Sequence, residues 1–589
     1  MGKHDQVDSI DRFLHASQAR LTGGLSPTAA QLAYLDWALH LANSPGKQLE
    51  LVRKALRKSL TFNGYLLRLL TGRQEGPCIC PLPQDRRFDA PEWQKMPFCL
   101  YYQAFLLLQQ WWHNATTGVH GVSEHHEDMV SFAARQILDV YSPANFVATN
   151  PEVLEATLKS GGMNLVNGFE NFLEDWERAV RGKPPVGSEK FRVGKEVAIT
   201  PGKVVFKNRL IELIQYSPAT EQVYKRPILM IPAWIMKYYI LDLSPHNSLV
   251  RYLVEQGHTV FMISWKNPDE EDRHLGMDDY LQLGAMRALK AVRDICGGEA
   301  VNAVGYCLGG TLLAIAAAAL GRERSDWLNS VTLFAAQTDF TEAGELMLFI
   351  DQSQVAYLED LMWDQGYLDT KQMAGAFQLL RSNDLIWSRI AHEYLLGKRM
   401  PMNDLMAWNA DGTRLPYRMH SEYLRRLFLN NDLAEGRYEV DGRPVALTDI
   451  HVPIFAVGTE TDHVAPWRSV YKINILTDTE VTFLLTNGGH NAGVISEPGH
   501  RRRHYRVATK QEGVPYVPPE RFFETTAPEE GSWWPRWERW LAERSGEKGA
   551  PPPMGAPDKG YPPIADAPGR YVLETGNGDA AEACTCPPG

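Results

Sequence analysis

The spacing of apolar and polar positions divides the chain into regions of different character. Residues 1–185 carry helical spacing. Ser26 and Pro27 suit a helix start, a capping hydroxyl followed by a residue that needs no N–H there. The run through Leu35, Ala38, Leu39 and Leu41 then buries one face. Residues 49–70 continue in the same way, with Lys54, Arg57 and Lys58 on the wet side. The bulky run from Phe105 to Trp112 is read as core, the alternative being a greasy docking surface. Arg181-Gly182-Lys183-Pro184-Pro185 punctuates the pattern as a linker.

From Val204 the period changes. Val204–Phe206 and Leu210–Ile214 read as an antiparallel pair. Short apolar runs at 227–231, 259–265 and 301–304 then alternate with amphipathic stretches at 248–255 and 278–295. That alternation predicts a parallel sheet with helices on its faces. Residues 339–443 interrupt it with a Leu-, Met-, Trp- and Tyr-rich insertion, best placed as a cap over a site. Two further strands follow, Val452–Val457 and Val481–Leu485. In the tail, Trp533, Trp537 and Trp540 share one helical face, read as packing against the core. Residues 546–589 are Pro-, Gly- and Asp-rich and are expected to be disordered. The domains are therefore a helical region 1–185, an α/β region 186–545 and this tail.

Candidate chemistry gathers at the loops that end these strands. Gly305-Tyr306-Cys307-Leu308-Gly309-Gly310 stands between the strand at 301–304 and the Ala/Leu-rich helix at 311–320. A nucleophile two residues from a glycine on either side, between strand and helix, describes a nucleophile elbow. The helix N-terminus and a nearby imidazole would favour the thiolate of Cys307. A buried structural cysteine is the competing reading of the motif alone. Asp462 follows the strand at 452–457, and His490 follows the strand at 481–485. Nucleophile, acid, histidine is the chain order of the α/β-hydrolase fold, which is the predicted fold class. In triad logic His490 is the base and Asp462 orients it. The oxyanion donors are expected to be the N–H of Leu308 and one from the turn after the first parallel strand, at Ala233.

Composition narrows the class. Hydrophobic residues make up 44% and charged residues 22%, ordinary for a globular protein. A formal charge of −11 argues against a nucleic-acid partner. The first residues are too polar for a signal peptide, and no apolar run is long enough for a membrane span. Seven cysteines in 589 residues do not make a disulfide framework, and a reducing cytoplasm is the expected setting. Cys78-Ile79-Cys80 and Cys584-Thr585-Cys586 lack further ligands and are read as incidental, and His125-His126 as a helix start rather than a metal site.

The motifs together resemble the polyhydroxyalkanoate synthases. They are Gly305–Gly310, Y-Y-I-L-D-L at 238–243, N-S-L-V-R-Y-L at 247–253, S-W-K-N-P-D at 264–269, W-N-A-D-G-T-R-L-P at 408–416, D-H-V-A-P-W at 462–467 and G-S-W-W-P at 531–535. The likeness runs over about residues 10–545. It implies a single-subunit enzyme that polymerises (R)-3-hydroxyacyl-CoA into polyester and releases CoA. It further implies Cys307 as nucleophile, His490 as base and Asp462 as acid partner. Trp408 and His463 become candidate substrate-binding residues by motif position. No cofactor or metal is implied beyond the acyl-CoA substrate. The expected surroundings are a cytoplasmic polyester granule, granule-associated proteins and a homodimer. Two positions depart from the family pattern. Met236 stands where Asn is frequent, and Gly488 where Ser is frequent. A thioesterase or depolymerase on the same triad and a non-catalytic granule-coat protein are the alternatives.

Overall fold

The structure is a computed structural model that describes residues 3–73 and 76–575. The chain forms two units, one of residues 22–183 with 373–401 and one of residues 1–21, 184–372 and 402–589.

The second unit is built on an eleven-stranded sheet. In chain order its strands are β1 (Gly202–Lys207), β2 (Ile211–Tyr216), β3 (Ile228–Ile231), β4 (Val260–Trp265), β5 (Val301–Tyr306), β6 (Leu328–Phe334), β7 (Ile454–Thr459), β8 (Val481–Thr486), β9 (His504–Lys510), β10 (Glu529–Glu530) and β11 (Ala565–Asp566). Their spatial order is β10-β9-β8-β7-β6-β5-β3-β4-β2-β1-β11. The six strands from β4 to β8 in that order pair in parallel, and the outer ones are antiparallel. Every residue of β3, β4, β5, β7 and β8 is buried, as expected for a sheet covered on both faces. The chain leaves β3 for β4 on one side and returns to β5 on the other. That reversal falls between β3 and β5, and sheets of this kind hold their ligands at the carboxyl ends of the strands beside such a switch. The fold is that of the α/β-hydrolases, as the alternation predicts.

The Trp face of helix Trp534–Ala542 packs against this sheet. Trp537 donates its indole N–H to Thr332 Oγ1 across 3.1 Å, and Trp533 and Trp540 are buried with it.

The first unit is helical. Phe88, Trp93, Tyr102, Phe105 and Leu106 form one of its cores, so the first half of the bulky run is interior. Leu108 is exposed. Ser123 caps helix Glu124–Val140, and the His126 ring lies 2.7 Å from an Asp36 oxygen.

Three boundaries differ from the expectation. Helix Lys3–Leu21 belongs with the sheet unit, where His15 contacts Asp360 at 2.7 Å on cap helix Gln352–Gln365. Residues 373–401 of the cap belong with the helical unit, where Asp175 collects Arg389, Tyr394 and Arg399 at 2.7–2.9 Å. The tail is not disordered as far as Thr575. β11 pairs with β1, and Tyr571 and Val572 are buried. The physical reason is that its polar backbone finds acceptors. Glu212 takes the N–H groups of Arg570 and Tyr571 at 2.8 and 2.9 Å. Residues 576–589, including Cys584-Thr585-Cys586, lie outside the described residues.

Candidate active site

Cys307 ends β5 and precedes helix Leu308–Arg322. Its backbone has φ 51° and ψ −123°, a region that a residue with a Cβ enters only under constraint. The constraint is visible. Cys307 N–H donates to Phe334 O on β6 at 2.9 Å, and its own carbonyl accepts from Gly310 at 2.9 Å. The glycines allow the close approach. A Cβ at Gly305 would overlap Gly310, and one at Gly309 would overlap the Ile231 carbonyl at the end of β3. The elbow is therefore pressed directly against the turn that follows β3.

Asp462 and His490 arrive from the ends of β7 and β8. His490 Nδ1 is 2.8 Å from Asp462 Oδ2, and both residues are buried. Asp462 also accepts from Thr459 Oγ1 at 3.0 Å and from the N–H groups of Val464 and Ala465 at 2.9 and 2.8 Å. Burial alone would raise its carboxyl. The charge and hydrogen bond of His490 and those two N–H groups outweigh it and hold the carboxyl below its ordinary value. For His490, burial pulls the other way from its partners. The charge and hydrogen bond of Asp462, with Cys307 nearby, outweigh burial and raise it well above its ordinary value. The imidazole is thus paired with the carboxylate through Nδ1, with Cys307 close by.

Sequence reasoning missed three residues that hold the His490 loop. The Tyr306 hydroxyl donates to Asn491 Oδ1 at 2.5 Å, and its ring lies 5.7 Å from the His490 ring. Its place beside Cys307 in the elbow was the available signal. Arg503 donates to the carbonyls of Asn487 and Ile495 at 3.3 and 2.8 Å. The indole of Trp533 donates to Gly493 O at 3.0 Å. Gly488 has φ 107°, so a glycine suits this turn.

The two expected oxyanion donors follow neighbouring strands, Leu308 after β5 and Ala233 after β3. Leu308 is the first residue of its helix, where an N–H has no acceptor within the helix. Ala233 follows β3, whose Ile231 pairs with Gly305 of β5. Trp408 is 2% exposed and donates to Lys237 O at 2.8 Å, so it packs under the turn after β3. Met236 is bridged to Gly412 through the backbone. His463 is half-buried, and its carbonyl accepts from Glu345 N–H at 3.3 Å at the start of the cap. Tyr423, in the 339–443 insertion, is raised well above its ordinary value chiefly by burial, with Cys307 a lesser cause, and its ring is 5.3 Å from Phe428 and 6.3 Å from Phe340. Among the described residues no helix is long and apolar enough to cross a membrane.

Three family models match the chain: the N-terminal region of poly-beta-hydroxybutyrate polymerase over residues 84–253, a second N-terminal segment of that polymerase over residues 5–47, and the alpha/beta hydrolase fold over residues 226–494. A poly(3-hydroxyalkanoate) polymerase of Methylorubrum extorquens is 40% identical over 537 residues, 90% of this chain and 87% of that protein. The polymerase subunit of Cupriavidus necator is 39% identical over 499 residues, 83% of each chain. A monoacylglycerol lipase structure from Paleococcus ferrophilus overlays with a TM-score of 0.31 at 10% identity, covering 57% of this chain and 98% of that one.

Proposed function

Because the chain belongs to the poly(3-hydroxyalkanoate) polymerase family and is an enzyme of that type, we propose that it builds polyester from (R)-3-hydroxyacyl-CoA through an acyl group held on Cys307. The observation that carries this reading is the buried Asp462–His490 pair beside a thiol on a strained elbow.

In the first half-reaction the Cys307 sulfur attacks the thioester carbonyl. Its proton passes to His490 and then to the departing CoA thiol. The N–H groups of Leu308 and Ala233 stabilise the oxyanion between the two steps. One thioester replaces another, so little free energy is lost and the acyl group stays activated. In the second half-reaction His490 takes the proton of a 3-hydroxyl. The freed oxygen attacks the acyl group, an ester bond forms, and the proton returns to the Cys307 sulfur. Asp462 keeps the imidazole in one tautomer and offsets its charge. A cap that excludes water favours the hydroxyl of the chain end over hydrolysis.

The product is insoluble, and we place the enzyme on cytoplasmic polyester granules, together with granule-associated proteins, as a homodimer. Helix Met163–Val180 supports the hydrophobic surface. Phe169 and Trp176 are about three-fifths exposed, and Val166, Phe172 and Leu173 are exposed too. Release of free CoA together with insoluble polyester from purified chain and (R)-3-hydroxybutyryl-CoA tests the proposal. Free 3-hydroxybutyrate in place of polymer would make the chain a thioesterase instead.

A further inference from the structure

Lys237 is a lysine in the wrong place for a surface charge. It closes the turn after β3, is 3% exposed, and points its ammonium at two main-chain oxygens of the tail: Tyr571 O at 3.3 Å and Glu574 O at 2.6 Å. A buried ammonium is costly unless acceptors surround it, so the turn and the tail hold each other in place. Asp411 contributes its charge from the cap, with Tyr239 donating to its carboxylate at 2.9 Å.

The same short turn is fastened elsewhere. The carbonyls of Trp234 and Ile235 accept from the Thr413 hydroxyl and N–H, the latter at 2.9 Å. The tail is anchored independently of Lys237. Glu212 takes two of its N–H groups, and the Glu574 carboxylate accepts from Asn267 N–H at 2.8 Å. The segment 570–575 is thus a strap fixed at both ends, with the lysine of the turn in its grip.

We propose that Lys237 is a positioning residue: its grip on the Tyr571 and Glu574 carbonyls fixes the turn 232–237 so that the Ala233 N–H meets the oxyanion formed on the Cys307 acyl group. This rests on the acyl-cysteine reading above. It assigns the C-terminal strap a part in catalysis through its main-chain carbonyls.

Two reactions of the same sulfur separate positioning from general damage. Acylation by a CoA thioester passes through an oxyanion; alkylation by iodoacetamide does not. Full-length wild type, Lys237→Met and a chain shortened after Gly569 would be compared for the rate of acyl label on Cys307 from (R)-3-hydroxybutyryl-CoA and for the rate of inactivation by iodoacetamide. The expected result is a fall of about 30- to 100-fold in acylation, the scale of a misplacement near 1 Å, with alkylation changed by less than about two-fold. The shortened chain keeps β11 and Lys237 and should show the same split. Acylation within about three-fold of wild type, or alkylation falling in parallel, overturns the proposal. So does insolubility of both variants, which would make the contact purely structural. A wild type that takes no label at Cys307 would instead sink the acyl-cysteine reading, and the role of Lys237 with it.

Discussion

The indole N–H of Trp408 donates to the main-chain oxygen of Lys237 across 2.8 Å, joining the cap to the turn after β3. Trp408→Phe keeps most of the ring and leaves that carbonyl without its donor, which should cost about 1–3 kcal/mol. Trp408→Ala adds a cavity and should cost about 3–5 kcal/mol. Urea denaturation of the two variants distinguishes these sizes. A substrate-contacting Trp408 would instead raise KM while leaving the denaturation midpoint in place.

Removing members of the proposed triad should give a graded series. Cys307→Ala should abolish CoA release and the acyl label together. Asp462→Asn should keep the fold and lower turnover by about 10⁴-fold, because the imidazole loses its tautomer and its counter-charge. Tyr306→Phe removes only the hydrogen bond to Asn491 and should lower turnover far less. Assays of CoA release under saturating substrate would read all three. Equal losses for Asp462→Asn and Tyr306→Phe would contradict this division between a triad member and a loop support.

The Asp462–His490 pair sets a pH window for stability. The aspartate carboxyl is held below its ordinary value of 3.8, so its contribution is present above that value and is lost as pH falls through the lowered one. The histidine is raised above its ordinary value of 6.5, so its contribution is complete below pH 6.5 and is lost as pH rises through the raised value. The stability gap between wild type and Asp462→Asn should therefore be widest between those two ordinary values and shrink above the upper one. Melting temperatures of both proteins, measured from acid to alkaline buffer, would show this. A gap that grows steadily with pH would refute it.

Glycines with opposite surroundings make a matched pair. Gly309→Ala would drive a methyl into the Ile231 carbonyl, and the backbone there cannot yield cheaply. Loss of about 3 kcal/mol or more, or of soluble protein, is expected. Gly375→Ala, in helix Thr370–Leu380 with open space around its Cα, should raise stability by about 0.5–1 kcal/mol. Guanidinium titrations of the pair would check both signs.

If helix Met163–Val180 meets polyester, Phe169→Ser with Trp176→Ser should lower the fraction of enzyme that sediments with amorphous polyester particles by several-fold. Turnover of soluble substrate by the same variant should stay within about two-fold, since surface substitutions have small effects on the fold.

The parts of the site that could be read from residues are those set by local chemistry. Gly305, Cys307 and Gly309 announce a turn through their spacing, and Asp462 and His490 each follow an apolar run of strand length. The parts that could not be read depend on partners far away in the chain. Nothing near His15 indicates Asp360, 345 residues on. Nothing in the Pro- and Gly-rich tail indicates that Glu212 and Lys237 are waiting for its backbone. A buried carboxylate and a buried ammonium supply what that tail lacks in apolar side chains, and composition does not display such pairings. Arg503 is hidden for the same reason, because its targets are carbonyls, which any residue carries.

The great sheet finishes at both margins in strands of only two residues, β10 and β11, and one of these is a pair of glutamates. Longer unpaired margins would be templates on which a second copy could dock strand to strand. Crowding many copies onto one particle would make that fault severe. A chain cut before Ala565 would lose the cover over β1 and should clump at concentrations where the full-length protein stays dispersed.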